Sequence, residues 1–174
     1  MNRITAADYK QSEKLPVTLI LDNIRSHLNV GSIFRSADSF RIAEILLCGI
    51  TGCPPHRDIQ KTALGATESV PWKYFQTTAE AIVHCRNQKK KIYGIEQTVE
   101  SIELQRFQPD NEALAFILGN EVEGVQQDVL QLADGVIEIP QFGTKHSLNV
   151  SVTAGILLWD INCKIRFKGD FSPQ

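Results

Sequence analysis

Short runs of β-favouring apolar residues alternate along the chain with amphipathic segments. The runs "VTLILDN", "EILLCGI", "KIYGIEQ", "LAFILGN" and "GVIEIP" are typical of strands covered on both faces. Between them, apolar residues at helical spacing predict helices over 30–40, 58–66, 78–88 and 125–133, and "SLNVSVTAGILLWDI" predicts a buried terminal helix. This alternation predicts an α/β fold, with a mostly parallel sheet and helices on both faces.

The length of 174 residues favours one domain with its own core. A polar lead-in occupies 1–16, and the last residues turn polar and contain glycine and proline. We therefore predict a single domain over 17–167, followed by a C-terminal tail over 168–174.

Charge is nearly balanced, with 18 Lys and Arg against 20 Asp and Glu, so any basic surface for nucleic acid must be local. The four cysteines form no CxxC pair and follow no signal peptide, which favours a reducing cytoplasm. The longest apolar runs are far shorter than the roughly 20 residues that cross a bilayer. We expect a cytoplasmic, soluble protein with no membrane association.

Several familiar sites are absent from the sequence. It contains no GxGxxG after the first strand, no GxxxxGK[ST], no GxSxG and no HExxH. Cys48, Cys53 and His56 lie close together but lack a fourth ligand at zinc-like spacing, so structural roles are favoured. We expect no metal.

Polar and glycine clusters follow three of the predicted strands, where parallel α/β sheets bind ligands. The first cluster, "DNIRSHLNVGSIFRSAD", contains Asn29, Gly31 and Arg35. Asn29 is a suitable helix cap, and Gly31 permits close approach of backbone or ligand. By itself this cluster fits a capped helix with a solvated arginine as well as it fits a functional site.

The second cluster, "LGNEVEGV", places Gly119 and Gly124 around two glutamates. Exposed amides in such a turn suit the polar edge of a ligand, whereas the carboxylates disfavour a phosphate. A turn in which Glu121 caps the next helix explains the pattern equally well. In the third cluster, "IPQFGTKHSLNVSV", Ser147 and Asn149 likewise suit either a ligand site or a helix cap.

In this order, "NVGSIFRSAD", "LGNEVEG" and "IPQFGTKHSLNVSVTAGI" resemble the three motifs of the SpoU, or TrmH-like, family of RNA ribose 2'-O-methyltransferases in the SPOUT superfamily. The resemblance extends from about residue 17 to residue 159. It implies a fold with a deep C-terminal trefoil knot, S-adenosylmethionine as cofactor, and a homodimer with active sites near the subunit interface. One departure is Gln141, where the family usually has methionine.

The resemblance also implies roles for individual residues. The characteristic polar positions of the family match Asn29, Arg35, Glu121, Ser147 and Asn149, with Arg35 at the arginine assigned to activation of the ribose hydroxyl. The residues expected to line the cofactor pocket are Leu118, Gly119, Glu121, Ile139, Ser147, Leu148 and Asn149.

The expected substrate is structured RNA, with tRNA slightly favoured over rRNA, and the alternative is a non-catalytic RNA-binding relative. A small-molecule α/β enzyme is disfavoured by the absent phosphate loops. The segment "QKKK" over 88–91 is typical of a solvated helix end. Lys61 and Lys145 are among the cations expected to add local RNA contacts.

Overall fold

A computed structural model describes residues 6–110, 112–144 and 147–167 of the chain. Lys145 and the predicted tail over 168–174 lie outside the described residues. Within the lead-in, a short helix α1 covers Ala6–Gln11, and Tyr9 from this helix is buried in the core.

In the part of the chain that the structure describes, seven parallel strands form one sheet. They are β1 (Leu15–Asp22), β2 (Ile42–Cys48), β3 (Trp72–Phe75), β4 (Lys91–Ile95), β5 (Ile102–Glu103), β6 (Leu114–Leu118) and β7 (Gly135–Glu138). Their spatial order is β3-β2-β1-β6-β4-β7-β5, and every described pairing is parallel. The carboxyl ends of β1, β6, β4 and β7 therefore meet along one edge of the sheet.

The helices connect these strands. They are α2 (His27–Phe40), α3 (Arg57–Ala63), α4 (Ala66–Ser69), α5 (Thr78–Asn87), α6 (Gln127–Leu130) and α7 (Val150–Arg166), and a 3-10 turn covers Leu104–Arg106. No described helix has both the length and the apolar character needed to traverse a bilayer.

Alternate residues of the buried strands supply two separate cores. Leu19 and Leu21 of β1 belong to the larger core, which includes apolar residues of α2 and α7. Ile20 of the same strand belongs to the smaller core, with residues of α5 and α6. Successive side chains of a strand point to opposite faces of the sheet, and each face here packs against helices. The predicted α/β fold with helices on both faces is therefore confirmed.

Some predicted boundaries were wrong. The helix predicted over 58–66 is two helices, because Leu64 and Gly65 take left-handed φ values of 50° and 89°. The helix predicted over 125–133 is reduced to the four residues of α6, although Val125 is still buried against the smaller core. Strands β3 and β5 were not predicted.

Lys90 corrects the interpretation of 88–91 as a solvated helix end. Its Nζ donates to Glu44 Oε1 at 2.7 Å and to Thr18 Oγ1 at 2.6 Å, and its side chain is only 10% exposed. Burial by itself raises the pKa of Glu44, but the hydrogen bond and charge of Lys90 outweigh burial, so the pKa lies below its ordinary value. This buried ion pair ties β1, β2 and the start of β4 together.

Candidate active site

A cleft of about 440 Å³ opens at the carboxyl edge of the sheet. It is bounded by the loops that follow β4, β6 and β7 and by the start of α7. Of the predicted cofactor-pocket residues, it is lined by Leu118, Gly119, Glu121, Ile139, Ser147 and Leu148. Residues from two of the three motifs therefore converge here, although they are far apart in the chain.

The loop after β6 is a tight turn that forms one wall of the cleft. The backbone amides of Asn120 and Gly124 each donate to the other residue's carbonyl oxygen, at 3.1 and 2.9 Å. A Cβ on Gly119 would lie 2.2 Å from the backbone nitrogen of Val125, so the turn can close this tightly only with glycine there. Asn120 Oδ1 accepts the amide of Val122 at 2.8 Å, which fixes the tip of the turn.

Glu121 links this turn to the start of α2. Its Oε1 accepts from Asn29 Nδ2 at 2.9 Å and from the Ser26 amide at 3.2 Å, and its Oε2 accepts from the Arg25 amide at 3.1 Å. Glu121 therefore does not cap the helix that follows it. It holds the segment that leads into α2 instead.

These contacts also set the charge of Glu121. Burial of its carboxyl raises the pKa, but the hydrogen bonds from Asn29 and from backbone amides outweigh burial. The pKa consequently lies below the ordinary value of 4.5, and the side chain is a carboxylate at neutral pH. A negative charge at this wall suits a cationic ligand group and disfavours a phosphate.

Asn149 connects the third motif to the first. It is the N-cap of α7, where its Oδ1 accepts the Ser151 amide at 2.9 Å, and its Nδ2 donates to Asn29 Oδ1 at 3.2 Å. Asn29 uses both ends of its amide, because its own Nδ2 donates to Glu121. The three polar residues form one chain of hydrogen bonds beside the cleft.

The structure decides which alternative capping roles hold. Ser26 caps α2, with its Oγ accepting the Asn29 amide at 3.3 Å, so of the two alternatives for Asn29 the capping role does not hold. Asn149 rather than Ser147 caps α7, and Ser147 lies in the cleft wall. Gln141 also lines the cleft.

Arg35 lies apart from this cleft. It is exposed on α2 and lines a separate groove with Ser32, Ser36, Ser39, Lys61 and Thr62. Arg35 follows Asn29 by six residues, which on a helix of 3.6 residues per turn places the two side chains about 120° apart. One copy of the chain therefore does not bring Arg35 together with Glu121 and Asn149.

Glu96 is a site residue that the sequence reading missed. It follows β4, lines the cleft, and accepts the Val125 amide on Oε2 at 3.0 Å. Its neighbours Gln97 and Thr98 line the same wall. Glu96 could have been found from the sequence, because "KIYGIEQ" ends in polar residues. Polar residues after a strand of a parallel sheet lie at the edge where ligands bind.

The cysteine and histidine set considered for metal has other contacts. His56 Nδ1 accepts the Asp58 amide at 3.2 Å as the N-cap of α3, and its ring stacks on His27 with centroids 3.8 Å apart. Cys48 is buried, and burial raises the pKa of its thiol to about 12. Within 6–110, 112–144 and 147–167, no cluster of three metal-binding side chains occurs.

The model of the SpoU rRNA Methylase family matches residues 16–159 of this chain. The 23S rRNA (guanosine-2'-O-)-methyltransferase RlmB of Neisseria meningitidis is 31% identical over 143 residues, which are 82% of this chain and 56% of that protein. A tRNA (guanosine(18)-2'-O)-methyltransferase of Mus musculus is also 31% identical, over 76% of this chain and 8% of that protein. The chain thus spans about half of RlmB and a small part of the mouse protein.

Solved structures show the same fold. The TrmH/SpoU tRNA modifying enzyme of A. aeolicus superposes with a TM-score of 0.81 at 22% identity, covering 94% of this chain and 82% of that one. The SpoU methyltransferase AviRb of Streptomyces viridochromogenes, in complex with the cofactor AdoMet, gives 0.81 at 20% identity, covering 93% and 62%.

Proposed function

Because the chain belongs to the SpoU rRNA methylase family, we propose that it transfers a methyl group from S-adenosylmethionine to a ribose 2'-hydroxyl of structured RNA. The observation that carries the proposal is the cleft at the carboxyl edge, where the second and third motifs form the walls and Glu121 and Asn149 are tied to Asn29. The names of the relatives, which are RNA guanosine-2'-O-methyltransferases, support the same reaction.

The cleft fits the cofactor in size and chemistry. Its volume of about 440 Å³ falls within the range of small-molecule sites. Apolar Leu118, Ile139 and Leu148 suit the faces of an adenine ring, and the carboxylate of Glu121 suits a cationic group. When bound, the cofactor supplies an activated methyl group.

The protein's contribution is then mainly positioning of the ribose hydroxyl in line with the methyl carbon. Correct orientation removes roughly 7–11 kcal/mol from the barrier of such a step. Arg35 is an awkward general base, because a guanidinium has no hydrogen-bond acceptor. It binds the RNA phosphate beside the target ribose and stabilises the developing alkoxide, while phosphate or water takes the proton.

We propose a homodimer, and the separation of Arg35 from the cleft in one copy of the chain supports it. Val152, Ile156 and Trp159 are 48%, 38% and 57% exposed and lie at helical spacing on α7, beside α2. A second copy covering this apolar stripe provides a route for Arg35 to reach the cleft of its neighbour. Sedimentation should show a dimer for the unsubstituted protein and a monomer for Trp159→Glu, and a monomeric active protein would contradict the assignment.

The reaction is tested by incubating the protein with labelled S-adenosylmethionine and unmodified total tRNA or 23S rRNA transcript, followed by nucleoside mapping. Arg35→Ala should abolish 2'-O-methylation and leave cofactor binding in calorimetry intact, and Arg35→Lys should remain poor because a point charge does not reproduce the guanidinium fork. Equal loss of methylation and cofactor binding would refute this role.

The same experiment separates the remaining alternatives. Cofactor binding without a 2'-O-methyl product on either RNA favours a non-catalytic RNA-binding relative, and base methylation would overturn the assignment. We favour tRNA slightly over rRNA as substrate. One catalytic domain over 17–167, its C-terminal knot and a cytoplasmic location belong to the same proposal. The family match over 16–159 supports the single domain and the knot.

A further inference from the structure

The groove that contains Arg35 has a chemistry unlike that of the cofactor cleft. Its volume is about 410 Å³, and one wall is a single face of α2. This face consists of four residues at helical spacing, which are Ser32, Arg35, Ser36 and Ser39. No carboxylate lines it, whereas the cofactor cleft contains several.

The other wall comes from α3, which contributes Lys61 and Thr62. The two helices can approach this closely because of Gly31, since a Cβ there would lie 2.1 Å from Thr62 Oγ1 and 2.3 Å from the Ile59 carbonyl oxygen. Thr62 Oγ1 completes the contact by donating to the Leu28 carbonyl oxygen at 2.9 Å. The glycine of the first motif therefore serves the packing of α3 rather than the approach of a ligand.

Three side chains of this groove have hydrogen-bond donors that are not engaged by any residue that the structure describes, namely Arg35, Lys61 and Ser36. Ser32, Ser39 and Thr62 already donate to backbone carbonyl oxygens. Across the described residues, neither Arg35 nor Lys61 has an ion pair within 4.0 Å. Two unpaired cations in a concave, hydroxyl-lined groove without acidic residues favour a phosphate.

We propose that Lys61 is a second RNA-phosphate-binding residue, which acts with Arg35 and Ser36 to hold the backbone next to the target nucleotide. This inference rests on the proposed function, because it takes RNA as the source of the phosphate. Lys61 fixes the register of the RNA strand without touching the reacting atoms. The close contact of α3 with Gly31 fixes the spacing of the two helices that carry these cations.

The test measures the affinity of unmodified total tRNA, and of 23S rRNA transcript, as salt is raised from about 50 to 200 mM. Lys61→Ala should weaken binding about tenfold at low salt and reduce the slope of log affinity against log salt by about one unit. Lys61→Arg should retain the slope, since it keeps the charge. Lys91→Ala is the matched control, because it removes the same charge from an exposed position at the amino end of β4 and should leave the slope unchanged.

Thermal denaturation and cofactor calorimetry on the same samples confirm that Lys61→Ala is folded and still binds S-adenosylmethionine. An unchanged salt slope in Lys61→Ala would overturn the inference, and persistent 2'-O-methylation in that sample would leave the proposed function standing. The inference would also be overturned if Lys61→Ala changed the oligomeric state and left the salt slope unchanged. Lys61 would then contact a second copy of the chain rather than RNA. Failure of the unsubstituted protein to bind either RNA would overturn both proposals.

Discussion

Replacing Asn149 by aspartate separates its role as a helix cap from its role in the site. Asn149 Oδ1 accepts from the Ser151 amide and from Ser151 Oγ at 2.9 and 2.7 Å, and an aspartate oxygen can accept both. Asn149 Nδ2 donates to Asn29 Oδ1, and aspartate has no such donor. The substitution therefore keeps the cap and breaks the link to the first motif.

The two effects on stability nearly cancel. Loss of the hydrogen bond to Asn29 costs about 0.5–1.5 kcal/mol, and a carboxylate at the N-terminus of α7 returns about 0.3–1 kcal/mol. The free energy of unfolding of Asn149→Asp should thus lie within about 1 kcal/mol of that of the unsubstituted protein. Asn149→Ala loses the cap as well as the link, about 2 kcal/mol together, or about 4–8 °C in Tm for a chain of this size.

The effect on turnover should follow a different order. Without the amide of Asn149, Asn29 and the carboxylate of Glu121 lose their common orientation, and a misplacement of about 1 Å costs roughly 100-fold in rate. Both variants should lose at least that factor in kcat/KM for RNA, measured with labelled S-adenosylmethionine beside thermal denaturation. Activity of Asn149→Asp within tenfold of the unsubstituted protein would show that Asn149 is only a cap. A Tm as low as that of the alanine variant would refute the energetic reasoning.

Two further substitutions probe the sheet and the cleft wall. Lys90→Met should destabilise the fold by about 3 kcal/mol in urea denaturation at pH 7, because it leaves Glu44 buried without its main partner. Because the pKa of Glu44 lies below its ordinary 4.5 in the folded protein, stabilisation by this pair is present above that pH and is lost as pH falls through the folded pKa. The destabilisation should therefore shrink toward acid, and a constant difference would contradict the pair's role. Glu96→Ala should raise the Kd for S-adenosylmethionine about tenfold by releasing the Val125 amide, whereas Glu96→Gln keeps an acceptor and should bind nearly normally. An equal increase of the Kd in both variants would indicate that the negative charge of Glu96, rather than its hydrogen bond to Val125, supports binding.

The strands could be predicted where burial on both faces makes every position apolar. In β6 all five residues from Leu114 to Leu118 are buried, and the run stands out in the sequence. In β3 the residues Trp72–Phe75 are half-buried or exposed, and β5 has only two residues, so neither edge strand leaves a periodic signal. Apolar residues near 125–133 predicted a longer helix, but Val125 is buried from within the turn that precedes α6.

The site residues could be predicted as a set, but their division of labour could not. Ser26 and Asn29 are both good N-cap residues three positions apart, and only the fold shows that Ser26 caps α2 while Asn29 faces Glu121. Spacing along α2 predicts that Asn29 and Arg35 point in different directions, but it does not show which groove Arg35 lines. The contacts of Asn29 with Glu121 and Asn149 join segments about a hundred residues apart, which a local pattern does not contain.

The hydrogen-bonded chain from Glu121 through Asn29 to Asn149 has a consequence for how the protein acquires activity. Its two side-chain links close sequence separations of 92 and 120 residues. Such long-range contacts require the loop-closure entropy to be overcome first, so they form after local structure during folding. Until these contacts form, the cleft walls and the first motif are not connected, so the proposed methyl transfer requires that the last segments have docked.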